Sequence, residues 1–418
     1  MNTSSQRPWA PKLLALCCAS AMMPVSAQGV WPGKLSEQGY KLPGGFEPVV
    51  QLRTFYLESE SVTGTQTAAW ALGGWAGLRS PWWGDVFQFA LVGYTSQKLY
   101  GPDDKDGTRL LAPGQEPIMV LGEAFAALRL FDQTLTGYRQ LINRPFINPQ
   151  DNRMVPNTFE AYTLTGDAGD VAYTGGYITK IKVRNSETFD WMSTAARGGG
   201  DHKGVAFAGA TWDFMKNGSL RVDEQYGVDV FNTFYADVKL PIAIADKTTL
   251  TLGAQYAAQK SVGEAQIGDF QTWGGGLQAG ISWGPMAAQL HYTQTGKGFD
   301  TQNPFGDHPS YLNMMQVAFN TAGERAWGVG GNVNFADFGV PGLTAAALYA
   351  SSGDRITAAT GAALPDRSEF NLRADYAFAK GTALEGLVAT LRGSWLRQDG
   401  AMQTAPQLRA ILNYSVRF

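Results

Sequence analysis

The chain has 418 residues, with 33 basic and 36 acidic side chains and a net charge of −3, which argues against a nucleic-acid partner. Its two cysteines, Cys17 and Cys18, both lie near the start, so the rest of the chain has no thiol for a disulfide framework or a thiolate metal site. Charged residues make up only 17 %, whereas there are 50 glycines and 12 % aromatic residues, which suits an all-β protein, soluble or membrane-inserted.

The first 27 residues have the pattern of a secretory signal peptide. Arg7 and Lys12 precede an apolar run over 13–23, and small residues lead to a predicted cut after Ala27. The run is too short to span a membrane as a helix. A lipoprotein signal is the alternative, but the residue before the first cysteine is a leucine where a small residue is expected. We therefore predict export and removal of this segment.

Beyond the signal the chain alternates between apolar and polar side chains, as β-strands do. Val50, Leu52 and Thr54 face one way, with Gln51 and Arg53 on the other side. Short breaks between such segments fall near 131–132, 166–169, 216–218, 241–247, 284–285, 337–342 and 380–381. Long breaks fall at 97–117, 141–157, 185–203, 258–270, 295–324, 352–367 and 398–406, with one short exception near 224–225.

The alternation of short and long breaks predicts which end of the molecule faces which compartment. About eighteen strands joined in this way fit a closed antiparallel transmembrane barrel, with tight turns toward the periplasm and long loops outside. We predict one barrel domain over 28–418, and we place 311–319 in the seventh long loop rather than in a strand. Eighteen strands leave room for an aqueous channel.

The last strand has the clearest pattern. From Gln407 to Phe418 the even positions are apolar, whereas the odd positions, among them Arg409 and Asn413, are nearly all polar. One face therefore suits lipid and the other a wet lumen. A terminal phenylalanine also resembles the signal read by the outer-membrane assembly machinery, so we predict that Phe418 contacts this partner.

Loop 141–157 carries three prolines and two arginines, which should make it stiff. We expect it to fold inward and constrict the lumen, with Arg144, Asn148, Asp151 and Arg153 at the constriction. An ordinary external loop is the alternative.

Arginines on the last three strands have lumen parity. Arg373, Arg392 and Arg409 each alternate with apolar neighbours, so three adjacent strands should each point an arginine into the pore. Such a row attracts anions and can pass carboxylates from one position to the next. The alternative is that these arginines only pair with carboxylates across the lumen, as Asp375 suggests for Arg373.

Three further cations share one face of a strand in this pattern. Lys180, Lys182 and Arg184 alternate with Ile181 and Val183, which we place on the lipid face. They predict either a funnel at the outer mouth or solvated rim charge.

An enzyme is the competing class, and the sequence gives it little support. The histidines are His202, His291 and His308; His291 has lumen parity, which is the wrong face for a barrel hydrolase, and there is no HExxH or GxSxG motif. We predict no catalysis, no cofactor and no metal.

Several segments resemble the OprD family of outer-membrane porins. They are Asp151–Tyr162 (DNRMVPNTFEAY), Tyr311–Met315 (YLNMM), Phe319–Gly330 (FNTAGERAWGVG), Phe338–Leu343 (FGVPGL), Leu391–Arg397 (LRGSWLR) and Leu408-Arg409. The resemblance implies an eighteen-stranded pore, constricted by inward loops, that takes up small carboxylate-bearing nutrients along a ladder of basic residues. Arg392 and Arg409 match ladder positions, and Arg397 matches a basic position at the loop end of its strand. Thr390 stands where members can carry another arginine.

These expectations define a predicted function. The chain should be a channel in the bacterial outer membrane that passively admits small organic anions, with simple or aromatic carboxylates favoured. A basic-amino-acid channel, a general diffusion porin and a plugged adhesin or structural barrel remain alternatives. The expected surroundings are outer-membrane lipid and lipopolysaccharide, and the expected state is a monomer or a weak trimer.

Overall fold

The computed structural model describes residues 42–199 and 201–415, and these form nineteen strands with little helix. The first ten strands are β1 Glu47–Glu60, β2 Gln66–Arg79, β3 Phe87–Tyr100, β4 Ile118–Leu130, β5 Gln133–Gln140, β6 Thr158–Ala168, β7 Val171–Lys182, β8 Asp190–Trp191, β9 Val205–Met215 and β10 Gly218–Gly227. The others are β11 Phe231–Ala245, β12 Thr248–Ser261, β13 Gln271–Trp283, β14 Met286–Thr295, β15 Arg325–Asn334, β16 Leu343–Gly353, β17 Arg367–Ala377, β18 Leu387–Gln398 and β19 Ala405–Ser415. One short α-helix, α1 (Met192–Ala195), and 3₁₀ turns at Pro43–Gly45, Asp103–Lys105 and Phe335–Phe338 complete the elements.

Antiparallel pairing closes the sheet on itself. Each long strand pairs with its neighbours in sequence, and β1 pairs with both β2 and β19, so Tyr56 lies opposite Trp70 on one side and Ala410 on the other. The two-residue β8 only edges β7 within a loop, and β7 pairs directly with β9. The wall therefore has eighteen strands, and the predicted barrel is confirmed.

The five longest connections all lie at one end of the barrel. Loops 1 to 9, all at one end, span 61–65, 101–117, 141–157, 183–204, 228–230, 262–270, 296–324, 354–366 and 399–404. The turns at the other end span 80–86, 131–132, 169–170, 216–217, 246–247, 284–285, 335–342 and 378–386. Segment 311–319 lies in loop 7, as predicted.

Two predicted breaks are wrong in position. Glu224 and Gln225 lie inside β10, and the connection falls at 228–230, where Asp229 has a φ of 60°. Asp223 and Gln225 are polar residues that face the lumen, so the sequence of this strand resembles that of a loop. Gln225 donates a hydrogen bond to the Pro145 carbonyl of loop 3. Likewise β11 continues through Pro241 to Ala245.

The alternation on each strand separates a lipid face from a lumen face. On β19, Leu408 and Leu412 are exposed on the outside, whereas Arg409 and Asn413 are buried inside. In the described part of the chain no helix is both long and apolar enough to cross a bilayer. The predicted signal peptide and Phe418 lie outside the described residues.

Loops 3 and 7 pack inside the barrel. Ile147 of loop 3 and Phe305 of loop 7 belong to one buried apolar cluster with Phe159, Phe207 and Phe231 from the wall strands β6, β9 and β11. Much of the buried apolar surface therefore lies within the lumen, where the two loops meet the wall.

Candidate substrate path

Three arginines form a row across neighbouring strands. Arg373 of β17 lies directly opposite Arg392 of β18, and Arg392 lies opposite Arg409 of β19. Facing residues in antiparallel strands have Cα atoms about 4.5–5.5 Å apart, so the row is continuous. Arg392 and Arg409 are 4 % and 1 % exposed, whereas the adjacent Leu391 and Leu408 are exposed on the outer face. The predicted lumen parity is therefore correct for all three arginines.

Arg409 and Arg392 each have a guanidinium donor with no acceptor among the described residues. Arg409 donates from Nε to Gln407 Oε1 (2.7 Å) and from Nη2 to the Met315 carbonyl of loop 7 (2.9 Å). Its Nη1 and the Nε of Arg392 are buried and have no hydrogen-bond partner within 42–199 and 201–415. Buried guanidinium donors of this kind can bind an anion that reaches them.

Arg373 is engaged differently. Its Nε and Nη2 donate to the two carboxylate oxygens of Asp375 at 2.6 and 3.0 Å. Thr390, in the position where the family can carry an arginine, donates to the same carboxylate at 2.6 Å. The alternative interpretation, pairing with Asp375, thus describes Arg373, although its position extends the row.

Arg397 does not join this row. Its exposed side chain has the parity of Leu391 and Trp395, which are exposed on the outer face, and it lies near the end of β18. Arg397 lies five residues after Arg392, and an odd step along a strand places a side chain on the opposite face. The prediction that Arg397 belongs to the row in the lumen is therefore wrong.

Loop 3 crosses the lumen and is tied to the wall by Asp151. The Asp151 carboxylate accepts from Nη1 and Nη2 of Arg53 on β1, at 2.6 and 3.1 Å. Arg53 also donates from Nε to Asn413 of β19 at 2.7 Å. In the sequence, only the polar parity of Arg53 distinguishes it, which does not indicate a contact with loop 3.

The other three predicted constriction residues also hold the loop. Arg144 binds both carboxylate oxygens of Asp223 on β10 at 2.6 and 2.8 Å. Asn148 accepts from the Asp307 amide of loop 7 at 2.8 Å, and Arg153 donates to the Thr108 carbonyl of loop 2 at 2.7 Å. Loop 3 is therefore fixed at several points around the lumen.

Asp307 connects loop 7 to loop 3. Its Oδ1 accepts from Gln150 Nε2 at 2.9 Å and from Asn152 Nδ2 at 3.3 Å. Burial raises the pKa of this carboxyl, while the Gln150 hydrogen bond and the nearby Arg184 and Arg153 oppose the rise. In the sequence, Asp307 is only an acidic residue within a long loop. Nothing near it in the chain indicates that it contacts loop 3.

Glu369 of β17 anchors loop 7 beside the arginine row. Its buried carboxylate accepts from the backbone N–H groups of Met315, Gln316 and Val317 at 2.9 to 3.2 Å. Gln316 also donates to Ser394 of β18 and to the Ala405 carbonyl, both at 2.9 Å. This anchor places the Met315 carbonyl where it accepts from Arg409.

The predicted mouth funnel is not formed. Lys182 is fully buried and donates to the Pro156 carbonyl at 3.0 Å, and Arg184 donates to Asn152, so both support loop 3. A β-bulge at Thr179 reverses the faces near the strand end, so Lys180 lies opposite Glu160 and pairs with it at 3.7 Å.

The same bulge places Ile181 against loop 3 rather than toward lipid. Ile181 belongs to the buried cluster that contains Ile147 and Phe305. The predicted lipid face of this strand end is therefore wrong, because an inserted residue shifts the period of two by one.

A narrow cavity, called here the arginine niche, lies between loop 3 and the wall. It has a volume of about 20 Å³, and its charged lining residues are Arg53, Asp151, Arg153, Arg373, Arg392 and Arg409. A buried water molecule needs a cavity of about 10–15 Å³, so the niche has room for a particle of about the size of one water.

The histidines stand apart from the niche. His291 of β14 is buried on the lumen side and stacks on Tyr311 of loop 7, with ring centroids 5.9 Å apart. His308 packs edge-on against Phe146 at 5.5 Å, and burial lowers its pKa to about 4. His202 stacks on Trp191 in loop 4.

The sequence model of one family, outer membrane porin, OprD family, matches residues 45–418. The chain belongs to the OprD family. It is therefore an outer-membrane porin, and the predicted family and location are confirmed.

Known members have low sequence identity to this OprD-family chain but a similar fold. Porin D of Pseudomonas aeruginosa is 22 % identical over 403 residues, which is 87 % of this chain and 89 % of that protein. Pseudomonas aeruginosa OpdK, solved with vanillate, superposes with a TM-score of 0.79 at 19 % identity, covering 89 % of this chain and 98 % of OpdK. Pseudomonas aeruginosa OccK9 gives 0.80 at 21 %, covering 90 % and 100 %. A BenF-like porin from Pseudomonas fluorescens Pf-5 gives 0.78 at 20 %, covering 89 % and 98 %.

Proposed function

We propose that this OprD-family porin admits small carboxylates, with simple or aromatic acids favoured, passively and along the arginine row. The observation that carries the proposal is the pair Arg392 and Arg409, buried on the lumen side with guanidinium donors that no described residue uses. No catalytic step is part of this function, and no cofactor or metal is required.

The row acts on an anion through charge and through hydrogen-bond geometry. A carboxylate that enters between the long loops is drawn toward fixed positive charge in a narrow lumen, where water screens it less than in bulk. A guanidinium can bind it with two parallel hydrogen bonds. Because Arg392 and Arg409 lie opposite each other on adjacent strands, the carboxylate moves between them without leaving the cationic surface.

Loop 3 supplies the size limit. Its contacts through Asp151, Arg144 and Asn148 hold it across the lumen against β1, β10 and loop 7. A solute must pass between this loop and the arginine row, so bulky anions are excluded. Thr390 in place of a further arginine shortens the row, and we expect moderate rather than tight selectivity.

The chemistry of one relative supports the carboxylate. OpdK was crystallised with vanillate, an aromatic carboxylate. The present chain shares the fold with OpdK, and its own arginines provide the matching charge.

The test is uptake into proteoliposomes containing the purified chain, with benzoate, arginine and a neutral sugar of similar size as substrates. We expect saturable uptake in which benzoate is fastest. Faster uptake of arginine would place the chain among basic-amino-acid channels, and equal rates for all three would indicate a general diffusion porin. No uptake at all would indicate a plugged barrel.

Several predictions about the surroundings remain part of this proposal. They are the signal peptide over 1–27, a single barrel domain over 28–418, contact of Phe418 with the assembly machinery, contact with lipopolysaccharide, and a monomer or weak trimer. Protease protection of the mature N-terminus and cross-linking in outer membranes would test them.

A further inference from the structure

The arginine niche has more positive than negative charge. Arg53 is paired with Asp151, and Arg373 is paired with Asp375. Arg153, Arg392 and Arg409 also line the niche, and none of them forms an ion pair with a described residue. Three cationic side chains therefore share one small cavity without a direct counter-ion from the described chain.

Asp375 pairs with Arg373, and two further carboxylates outside the niche, on Glu369 and Asp307, are also occupied. Glu369 accepts from three consecutive backbone N–H groups of loop 7, and Asp307 accepts from the side chains of Gln150 and Asn152. Neither makes an ion pair with Arg392 or Arg409 among the described residues. A buried charge that lacks a partner is costly, so the niche favours an anion from solution.

The donors for such an anion are present. Arg392 Nε and Arg409 Nη1 have no partner among the residues that the structure describes, and both side chains line the niche from adjacent strands. More than nine-tenths of each side chain is buried, so bulk water does not replace the missing contact. Donors from two guanidinium groups can therefore converge on one anion.

Size decides which anion fits. A cavity of about 20 Å³ holds one particle near the size of a water molecule. Chloride is only slightly larger than water and accepts hydrogen bonds from all sides. A carboxylate has two oxygens and a carbon, so it fills such a narrow space less readily than a single spherical ion.

We propose that the arginine niche binds a chloride ion between Arg392 and Arg409, and that a substrate carboxylate must displace this chloride to pass. The chloride site itself does not depend on the function proposed above, whereas the displacement step rests on it. Chloride is then both the counter-ion that stabilises the closely spaced arginines and a competitor of the transported acid.

Chloride binding can be measured without transport. In ³⁵Cl NMR of the purified full chain in detergent micelles, exchange of chloride with a protein site broadens the free-ion line. We expect broadening that saturates as chloride replaces methanesulfonate, a bulkier anion, at constant ionic strength. The double variant Arg392→Gln/Arg409→Gln should lose this broadening. Added benzoate should narrow the ³⁵Cl line in the wild type.

The matched control is Arg325→Gln, which removes an exposed arginine paired with Asp354. It should leave the line width unchanged. The heat-dependent mobility shift of folded barrels confirms that each variant is folded, and Arg392→Gln alone is used if the double variant does not fold. No saturable broadening, or equal broadening in the wild type and the niche variants, overturns the chloride site. Broadening that benzoate does not relieve overturns the displacement.

A transport assay provides a second test of the displacement. In proteoliposomes at constant ionic strength, chloride should raise the apparent KM for benzoate in proportion to its concentration and leave the maximal rate unchanged. Benzoate uptake that does not respond to chloride contradicts the displacement while the proposed function stands. If benzoate is not taken up at all, the proposed function and the displacement both fail, and the NMR result alone decides the chloride site.

Discussion

Arg53 of β1 and Asp151 of loop 3, 98 residues apart in the chain, form a buried two-point ion pair. Arg53 also donates to the Arg153 carbonyl at 2.6 Å and lies 5.2 Å from the centre of the Trp75 ring. One side chain of the wall thus binds the charged centre of the loop, its backbone and a neighbouring aromatic face. This contact is one of several that hold loop 3 in the lumen.

Replacing Asp151 with Asn should release loop 3 from the wall. Loss of one partner of a buried ion pair costs about 3–5 kcal/mol, because the remaining charge has no counter-ion. We expect larger and noisier single-channel currents in planar bilayers, with the barrel still folded. Asp85→Asn is the control, since Asp85 pairs with Arg129 in an exposed turn. Currents like those of the wild type would show that other contacts suffice to hold the loop.

Replacing Arg392 and Arg409 together with Gln should abolish anion preference. An attraction of about 1.4 kcal/mol between the row and an anion corresponds to a tenfold effect, so we expect the anion-to-cation permeability ratio to fall about tenfold. Reversal potentials in a salt gradient measure this ratio. Arg397→Gln is the control on the same strand, because its side chain lies on the outer face. Unchanged selectivity in the double variant would refute the role of the row.

Gly328 of β15 should not tolerate a methyl group. A Cβ there would lie 2.6 Å from Leu312 Cδ2 of loop 7 and 3.1 Å from the Tyr349 carbonyl oxygen. Gly328→Ala therefore overpacks the contact between loop 7 and the wall, at a cost of about 1–3 kcal/mol. Urea unfolding in lipid vesicles would show the loss. Gly274→Ala, whose nearest contact is Thr301 Oγ1 at 3.5 Å, should be close to neutral, and equal effects of both changes would contradict the packing argument.

Acidification should strengthen the contact between loops 3 and 7 through Asp307. Burial raises the pKa of this carboxyl above its ordinary 3.8, so the docked state binds the proton more tightly than the released state. The stabilisation is complete below the ordinary pKa and is lost as the pH rises through the raised value. We expect current noise to fall between neutral pH and about pH 5, a window in which His308 stays largely neutral because its pKa is about 4.

Asp307→Asn tests this pH dependence. The amide keeps an acceptor oxygen for Gln150 and Asn152 but does not titrate, so the change of noise with pH should disappear. Noise that increases on acidification in the wild type would contradict the assigned direction.

Most strands were predictable because apolar and polar side chains alternate along them with a period of two. On β19, the alternation of Leu408 with Arg409 gave the correct face without any knowledge of neighbours. The same logic failed at Lys180, where the bulge at Thr179 inserts one residue and reverses the faces. A bulge has no fixed composition, so the sequence alone did not reveal it.

The site was predictable only in part. Strand parity predicts that Arg373, Arg392 and Arg409 face the lumen. That they lie directly opposite one another depends on the register between neighbouring strands, which cannot be derived from the sequence. The partners of loop 3 could not be predicted, because Arg53 and Asp307 lie far from Asp151 and Asn148 in the chain and carry no local motif. Long-range pairing of this kind depends on the closed barrel.

The pairing of β1 with β19 has a consequence for assembly. Arg53 and its hydrogen-bond partner Asn413 are 360 residues apart, and Arg409 lies opposite Leu57 across the same junction. The substrate path therefore lies on both sides of the junction where the barrel closes. Until β1 pairs with β19, Arg53 and Arg409 lie on separate free edges of the sheet. Closure of the barrel therefore also brings the two sides of the substrate path together, and a sheet that is not yet closed lacks the complete path.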